Sequence, residues 1–385
     1  LPDNTPPEAI SIVIHPQSAK SSVAGTSDKQ MTELTKTASG KYRTDAPIYA
    51  SGRSGIGVEY CDRMTNSNNR YGAKQVDLLV NGRKTYTSIF DKVDFDKQST
   101  KNSCFDFNYY VKDSKYVQKL FVEPNNDLDI YSNLVNNGYL NIGTNDSAKI
   151  QIKITDFNGN VSNINFTILS DTATNIKFSN AQKLKWNTVN NLEIKGCRVT
   201  IDSATLFDDR EVVLTRNGAK KYSPIFSLGD ETEAVKKSFT ISLSDSLVPR
   251  QYISKAFICR EINKKTNYLT TTYENGWLTA KTNRFGKFFI LIDTVAPTIR
   301  PLVISSDMTG KKYMEFKITD NLAGVSTYNI YINGKWVLGE YEPKKSSLRY
   351  YFDNRLPKAE TYKLKVVVSD NVKNEAIYEY EFKRR

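Results

Sequence analysis

The sequence predicts an all-β protein built as three consecutive β-sandwich domains, the first and third immunoglobulin-like and related by an internal repeat. Three observations predict it. Residues 148–168 are echoed by residues 362–382: Lys149-Ile150-Gln151-Ile152-Lys153-Ile154-Thr155-Asp156 is answered by Lys363-Leu364-Lys365-Val366-Val367-Val368-Ser369-Asp370. Each copy reads as a strand, a tight Asp/Asn turn and a returning strand. The composition, with Tyr 23 and Phe 18 in 385 residues, suits pleated half-buried surfaces better than helices. A chain of that length also exceeds one ordinary core.

The repeat extends upstream. Asp77-Leu78-Leu79-Val80-Asn81-Gly82 is answered by Asn329-Ile330-Tyr331-Ile332-Asn333-Gly334, and Asn4-Thr5-Pro6-Pro7 by Asp293-Thr294-Val295-Ala296-Pro297. These matches set the domains at residues 1–170, 171–292 and 293–385. In the first, residues 10–14 form an apolar strand, and the Ser/Thr/Lys/Gly-rich residues 17–41 read as a mobile surface excursion. Gly52, Gly55 and Gly57 lead into a strand, a polar run over 64–71 follows, and Asn81-Gly82 makes a hairpin. Residues 91–136 read as a loop-rich flap with one helical turn, and the hairpin around Asn158-Gly159-Asn160 closes the domain. A polar seam over 171–174 opens the middle domain, where 197–209 read as strand, turn and strand. Further strands are expected at 211–215, 239–243, 256–260, 268–273, 277–281 and 286–292, a second sandwich of different topology. Asp293 to Pro297 is a linker whose proline restricts its swing.

Composition limits the chemistry. No apolar run approaches the roughly 20 residues that a membrane-spanning helix needs. The formal charge of +12 favours anionic surroundings, but no basic helix or stacked aromatic pattern points to nucleic acid. Cys61 and Cys104 fall in the first domain and Cys197 and Cys259 in the middle one. One disulfide per domain and four buried thiols both fit, and no CxxC pair is present for zinc or redox work. The chain opens on Leu1 without a basic or apolar leader, so any targeting segment is expected upstream or removed.

His15 is the single imidazole. A hydrolytic zinc site and a Ser-His-Asp or Cys-His arrangement both need more, so no catalytic residue is assigned. Asp208-Asp209 and Asp94 with Asp96 are carboxylate pairs of the kind glycoside hydrolysis uses, although neighbouring acids in turns are usually solvated turn formers. Asp156 with Asn160, and Asp370 with Asn374, place oxygen ligands at a spacing calcium accepts, as does the related Asp320 turn. Each turn lacks the bidentate Glu that completes a calcium loop, and hairpin capping explains both without a metal. Trp336 and Tyr341, read as exposed on the last domain, are candidates for stacking on sugar rings.

Ser54-Gly55-Ile56-Gly57-Val58 with Asp62-Arg63-Met64, the strand to Asn81-Gly82, the string Lys119-Leu120-Phe121-Val122-Glu123-Pro124-Asn125-Asn126, and Phe285-Gly286-Lys287-Phe288 ahead of Asp293 and Pro297 share one arrangement. It resembles the non-catalytic C-terminal β-sandwich tail of lysostaphin-type (LytM-like) zinc metallopeptidases from Bacteroidota. The likeness covers essentially the whole chain, with residues 121–126 its most specific part. The family's His-x-x-x-Asp and His-x-His zinc motifs have no counterpart, so no catalytic residue carries over. The resemblance implies no cofactor in this chain, with zinc confined to a peptidase domain upstream. It also implies an exported protein of the periplasm, outer membrane or cell surface, and peptidoglycan or an envelope protein complex as partner. Three expectations follow: a binding and scaffolding region that positions a peptidoglycan endopeptidase, the accessory tail of a full-length zinc endopeptidase, or a surface carbohydrate-binding or adhesin-like module.

Overall fold

The computed structural model describes residues 3–18, 20–65, 67–171, 181–262 and 264–385. Residues 172–174 of the expected polar seam lie outside them. Strands dominate throughout, and the longest helix among the described residues is Phe107–Asp113. No helix among them is long and apolar enough to cross a membrane.

In the first module one hydrogen-bonded sheet folds over on itself. The strand Ile48–Cys61 makes the turn between layers: Ile48 to Ala50 run parallel to Ile168–Ser170, while residues 54–61 pair antiparallel with Glu8–Pro16. The strands Ser147–Thr155, Val161–Ser170 and Gln75–Val80 complete one layer. Alternation dictates which side chains meet, since successive residues of a strand face opposite ways. Ile150, Ile152 and Ile154 point inward onto Val76, Leu78, Ile164, Ile12 and Val58, all buried. Each such side chain contributes roughly 1.5–3 kcal/mol of burial.

The last module repeats this plan with two four-stranded sheets. Val325–Ile332, Tyr362–Asp370 and Glu375–Phe382 stand where Gln75–Val80, Ser147–Thr155 and Val161–Ser170 stand in the first, with Ile330 opposite Val366 as Leu78 is opposite Ile152. The turns agree to the hydrogen bond. Asn81 and Asn333 both have φ 50°, followed by Gly82 at 82° and Gly334 at 76°, the left-handed pair a tight hairpin requires. The Asn81 and Asn333 side chains accept from the Lys149 and Lys363 amides, each at 2.8 Å.

The middle module packs two five-stranded sheets around Val199, Phe226, Phe239, Ile241, Ile258 and Phe288. After Cys197–Ile201 the chain forms turns rather than the second strand expected before residue 209, because Asp202, Asp208 and Asp209 favour side-chain turns over a ladder. The expected strand over 268–273 is two, Lys265–Tyr268 and Thr271–Glu274, one in each sheet.

Two stretches of the first module depart from expectation. The excursion over 17–41 carries the strands Ser22–Val23 and Gln30–Glu33, the latter paired with Glu8–Pro16. The flap over 91–136 holds a 3-10 turn, Phe95–Thr100, two short helices, Lys101–Cys104 and Phe107–Asp113, and the strand Val117–Lys119 laid against Ile48–Cys61. Asp106 caps Phe107–Asp113 by accepting from the Asn108 and Tyr109 amides. All four cysteines are free and buried, and burial pushes the Cys197 and Cys259 thiols up to about 12.

Two joints connect the modules. At the first, Asn125 donates from its amide to the Phe207 carbonyl at 3.0 Å and from its side chain to the carbonyls of Ala204 and Leu206 at 3.0 and 2.7 Å. Lys236 answers by donating to the Asn125 carbonyl and pairing with Asp127, both at 2.9 Å. At the second, Phe257, Cys259 and Phe289 of the middle module bury Ala323 and Val372 of the last. Lys255 donates there to the carbonyls of Val372 and Lys373 at 2.9 and 3.1 Å.

Candidate functional site

The turns read as Asp/Asn caps are caps, and they do more. Asp156 Oδ1 accepts from the amides of Asn158 and Asn160, both at 2.8 Å, and Asp370 Oδ1 from those of Val372 and Asn374 at 2.9 and 2.7 Å. Asn160 and Asn374 use their side-chain nitrogens here. Each donates its side-chain N–H to the other oxygen of the aspartate, at 2.7 and 2.6 Å, and to the carbonyl of Asp3 or Asp293, both at 3.0 Å. They tie the hairpin to the segment leading into the module.

That tie gathers carboxylates that lie far apart in sequence. Asp3, Asp62 and Asp156 bring an oxygen each to within 4.8 Å of one another, and Asp293, Asp320 and Asp370 do the same in the last module. Asp62 and Asp320 occupy the same position, just past the strand that pairs with the first strand of its module, where Glu8 opposes Cys61 and Thr298 opposes Thr319. Asp3, Asp62 and Asp156 are all buried. Burial, with the neighbouring charges of Asp156 and Asp3, pushes the Asp62 carboxyl up to about 6.

His15 is sealed away. It lies 6% exposed in Glu8–Pro16, its Nδ1 3.6 Å from Asp106 and its ring edge-on to Phe121 at 5.4 Å. Burial lowers it to about 3 against the pull of Asp106, and Lys29 takes Asp106 at 2.6 Å. The carboxylate pairs differ in setting. Asp94 and Asp96 are exposed, while Asp209 accepts from the Trp186 amide at 3.1 Å.

The aromatic candidates part company. Trp336 is 57% exposed and donates from Nε1 to Asn329 at 3.1 Å. It lines a cleft of about 330 Å³ with Leu338, Tyr351, Asp353 and Arg355. Tyr341 is not exposed as expected: it packs against the core, its ring 4.9 Å from that of Tyr328. The cause is its strand partner, since Tyr341 lies opposite buried Leu348.

A larger groove, of about 690 Å³, opens in the first module and is lined by Tyr60, Arg70, Tyr71, Phe90, Phe105 and Tyr116. Phe90 stacks on Phe105 at 6.4 Å, and Tyr116 meets Phe105 edge-on at 6.1 Å. Tyr60 is held in place by donating to Gln118 at 2.7 Å. Glu59, Asp113 and Lys115 add charge to the lining. No sequence motif marks this groove, because its walls come from five separate segments. The one signal is the density of aromatic residues on either side of the 107–113 helix.

Residues 181–293 match the Zu5-like domain family. A comparison with curated proteins finds no match. Among solved structures, the chain is similar to a solved chain from work on host cell surface retention of a 1.5-MDa bacterial ice-binding adhesin, at 11% identity over 86% of this chain and 90% of that solved chain, with a TM-score of 0.16. It is also similar to SGBP-B of the Bacteroides ovatus mixed-linkage glucan utilization locus, at 8% identity over 96% and 71%, TM-score 0.15. A Ca2+-stabilized adhesin of an Antarctic bacterium shows 11% identity over 98% and 90%, TM-score 0.17.

Proposed function

We propose that the chain is a non-catalytic, adhesin-like binding region of the cell surface that takes a glycan in the aromatic groove of its first module. The groove carries this reading. Its volume falls within the range of small-ligand sites, and aromatic faces beside a few charged groups are what sugar rings require, an apolar face to stack on and hydroxyl partners at the edge. Arg70 and Lys115 balance Glu59 and Asp113 around it, and the net charge of +12 on the chain as a whole favours an anionic glycan. Peptidoglycan is such a polymer. A region of this kind would hold a peptidoglycan endopeptidase to its substrate, as the resemblance to peptidase tails implies, with any zinc belonging to that peptidase. The burial of His15 supports a role in gripping rather than cutting.

Calorimetric titration of the chain with soluble peptidoglycan fragments and a panel of neutral and acidic glycans tests the reading. Binding to at least one is expected, weakened at least tenfold by Tyr116→Ala and unchanged by Trp336→Ala. Absence of binding to every glycan overturns the function, and loss on Trp336→Ala with Tyr116→Ala silent moves the site to the last module.

A further inference from the structure

We propose that Asp3, Asp62 and Asp156 bind one Ca2+ and that Asp293, Asp320 and Asp370 bind a second, so that a cation fastens each immunoglobulin-like module to the segment leading into it. Three carboxylates with oxygens inside 4.8 Å match the span one calcium allows, since ligands at 2.3–2.6 Å from an ion lie no more than about 5 Å apart. Acid clusters are common on protein surfaces, but two further features set these apart.

The first is an oxygen with no partner. Asp62 is 5% exposed and its Oδ1 is buried without a hydrogen bond; Asp320 Oδ1 is in the same state in the other module. The remaining members are well supplied. Asp3 accepts from Thr5 and Thr65, and Asp293 from the amides of Val295 and Ala323. An orphaned carboxylate oxygen costs free energy unless something positive meets it. The nearest arginine in sequence, Arg63, is turned to Glu8 at 3.6 Å instead.

The second is repetition. The two triads draw on equivalent points of two modules whose surface residues have otherwise diverged. All donors are oxygens, with no imidazole or thiolate among them, which selects a hard cation. Calcium is favoured over magnesium because the three carboxylates hang on a lead-in segment, a strand end and a hairpin, a frame that suits a flexible six- to eight-oxygen shell better than a strict octahedron. The second site has a mechanical meaning. Asp293 donates its amide to the Lys255 carbonyl at 3.0 Å, so an ion held by Asp293 and Asp370 joins the middle module to the last.

The inference is independent of glycan binding. Equilibrium dialysis of the EDTA-stripped chain against Ca2+ is expected to load two ions, with Asp62→Asn and Asp320→Asn each loading one. Mg2+ is expected to bind at least tenfold more weakly and Zn2+ not to compete. Proteolysis in the 293–297 linker is expected to slow severalfold with Ca2+ in the parent chain and in Asp62→Asn, but not in Asp320→Asn. Asp320 is half-exposed, so its variant keeps the test open should Asp62→Asn fail to fold. No uptake at about 10 mM Ca2+, well above the dissociation constants of extracellular calcium modules, overturns the proposal, as does an undiminished stoichiometry in both variants.

Discussion

The first and last modules share a ladder, two hairpin turns and a carboxylate triad, yet they differ in what surrounds them. The first carries a flap of helices, a buried ionic cluster and an aromatic groove; the last has none of these and exposes lysine and glutamate along Tyr362–Asp370 and Glu375–Phe382. What the copies retain is the apparatus of folding and of attachment to the preceding segment. What differs is the surface: the first module opens an aromatic groove beside its flap, the last a smaller cleft around Trp336. The insertions shape the groove to which we assign binding, and the repeated frame is their support.

Matched core truncations test the sharing of the frame most severely. Leu78→Ala and Ile330→Ala remove equivalent, fully buried side chains, and each is expected to cost about 2–5 kcal/mol. Calorimetry should show each variant lowering one transition and leaving the other module's in place. A single transition that moves in both would mean the joints make the chain one cooperative unit.

The ionic cluster distinguishes the modules by pH. His15 is neutral in the folded chain down to about pH 3, against an ordinary value of 6.5, so between those values the unfolded chain binds more protons. The stability His15 contributes is thus present above pH 6.5 and is lost as pH falls toward 3. Asp106, buried yet held low by Lys29, adds to the loss in the same direction below the ordinary carboxylate range, and Lys119 and Glu123 face the same cluster. Asp62 acts oppositely, so the measurement is best made in Asp62→Asn. Chemical denaturation from pH 7 to 4 should show the first module weakening by on the order of a few kcal/mol, with His15→Gln flattening the slope and the last module, which has no histidine, unaffected by that change.

The joints give the smallest effects. Asn125→Ala keeps the backbone bond to Phe207 but strips the two side-chain bonds to Ala204 and Leu206 and the one that Oδ1 accepts from Lys236 at 3.3 Å, and is expected to cost about 2 kcal/mol, read as faster hydrogen exchange at residues 204–207. Lys255→Met at the second joint removes two bonds but keeps the apolar contact, and about 1 kcal/mol is expected. Equal effects would mean the joints are built alike.

Much of the frame was legible in the sequence. Asn81-Gly82 and Asn333-Gly334 announce their turns because few other dipeptides tolerate two left-handed residues, and alternation such as Ile150, Ile152, Ile154 names the core side of its strand. The strands at 22–23 and 30–33 were hidden because two and four residues are too few for alternation to show. The triads were half visible. Asp156 and Asp370 stand in recognisable turns, but nothing local says that Asp3 and Asp62 arrive beside them, since that depends on strand pairing across the module. Tyr341 was misplaced for a related reason, its burial being decided by the strand opposite.

The contrast between the joints has a thermal corollary. Contacts such as Phe257 and Phe289 on Val372 lose strength on cooling, because apolar burial is entropy-driven near room temperature, whereas the polar lock around Asn125 does not share that weakness. In the cold, the articulation of this chain shifts toward its last module, and an ion bridging Asp293 to Asp370 would be worth most there.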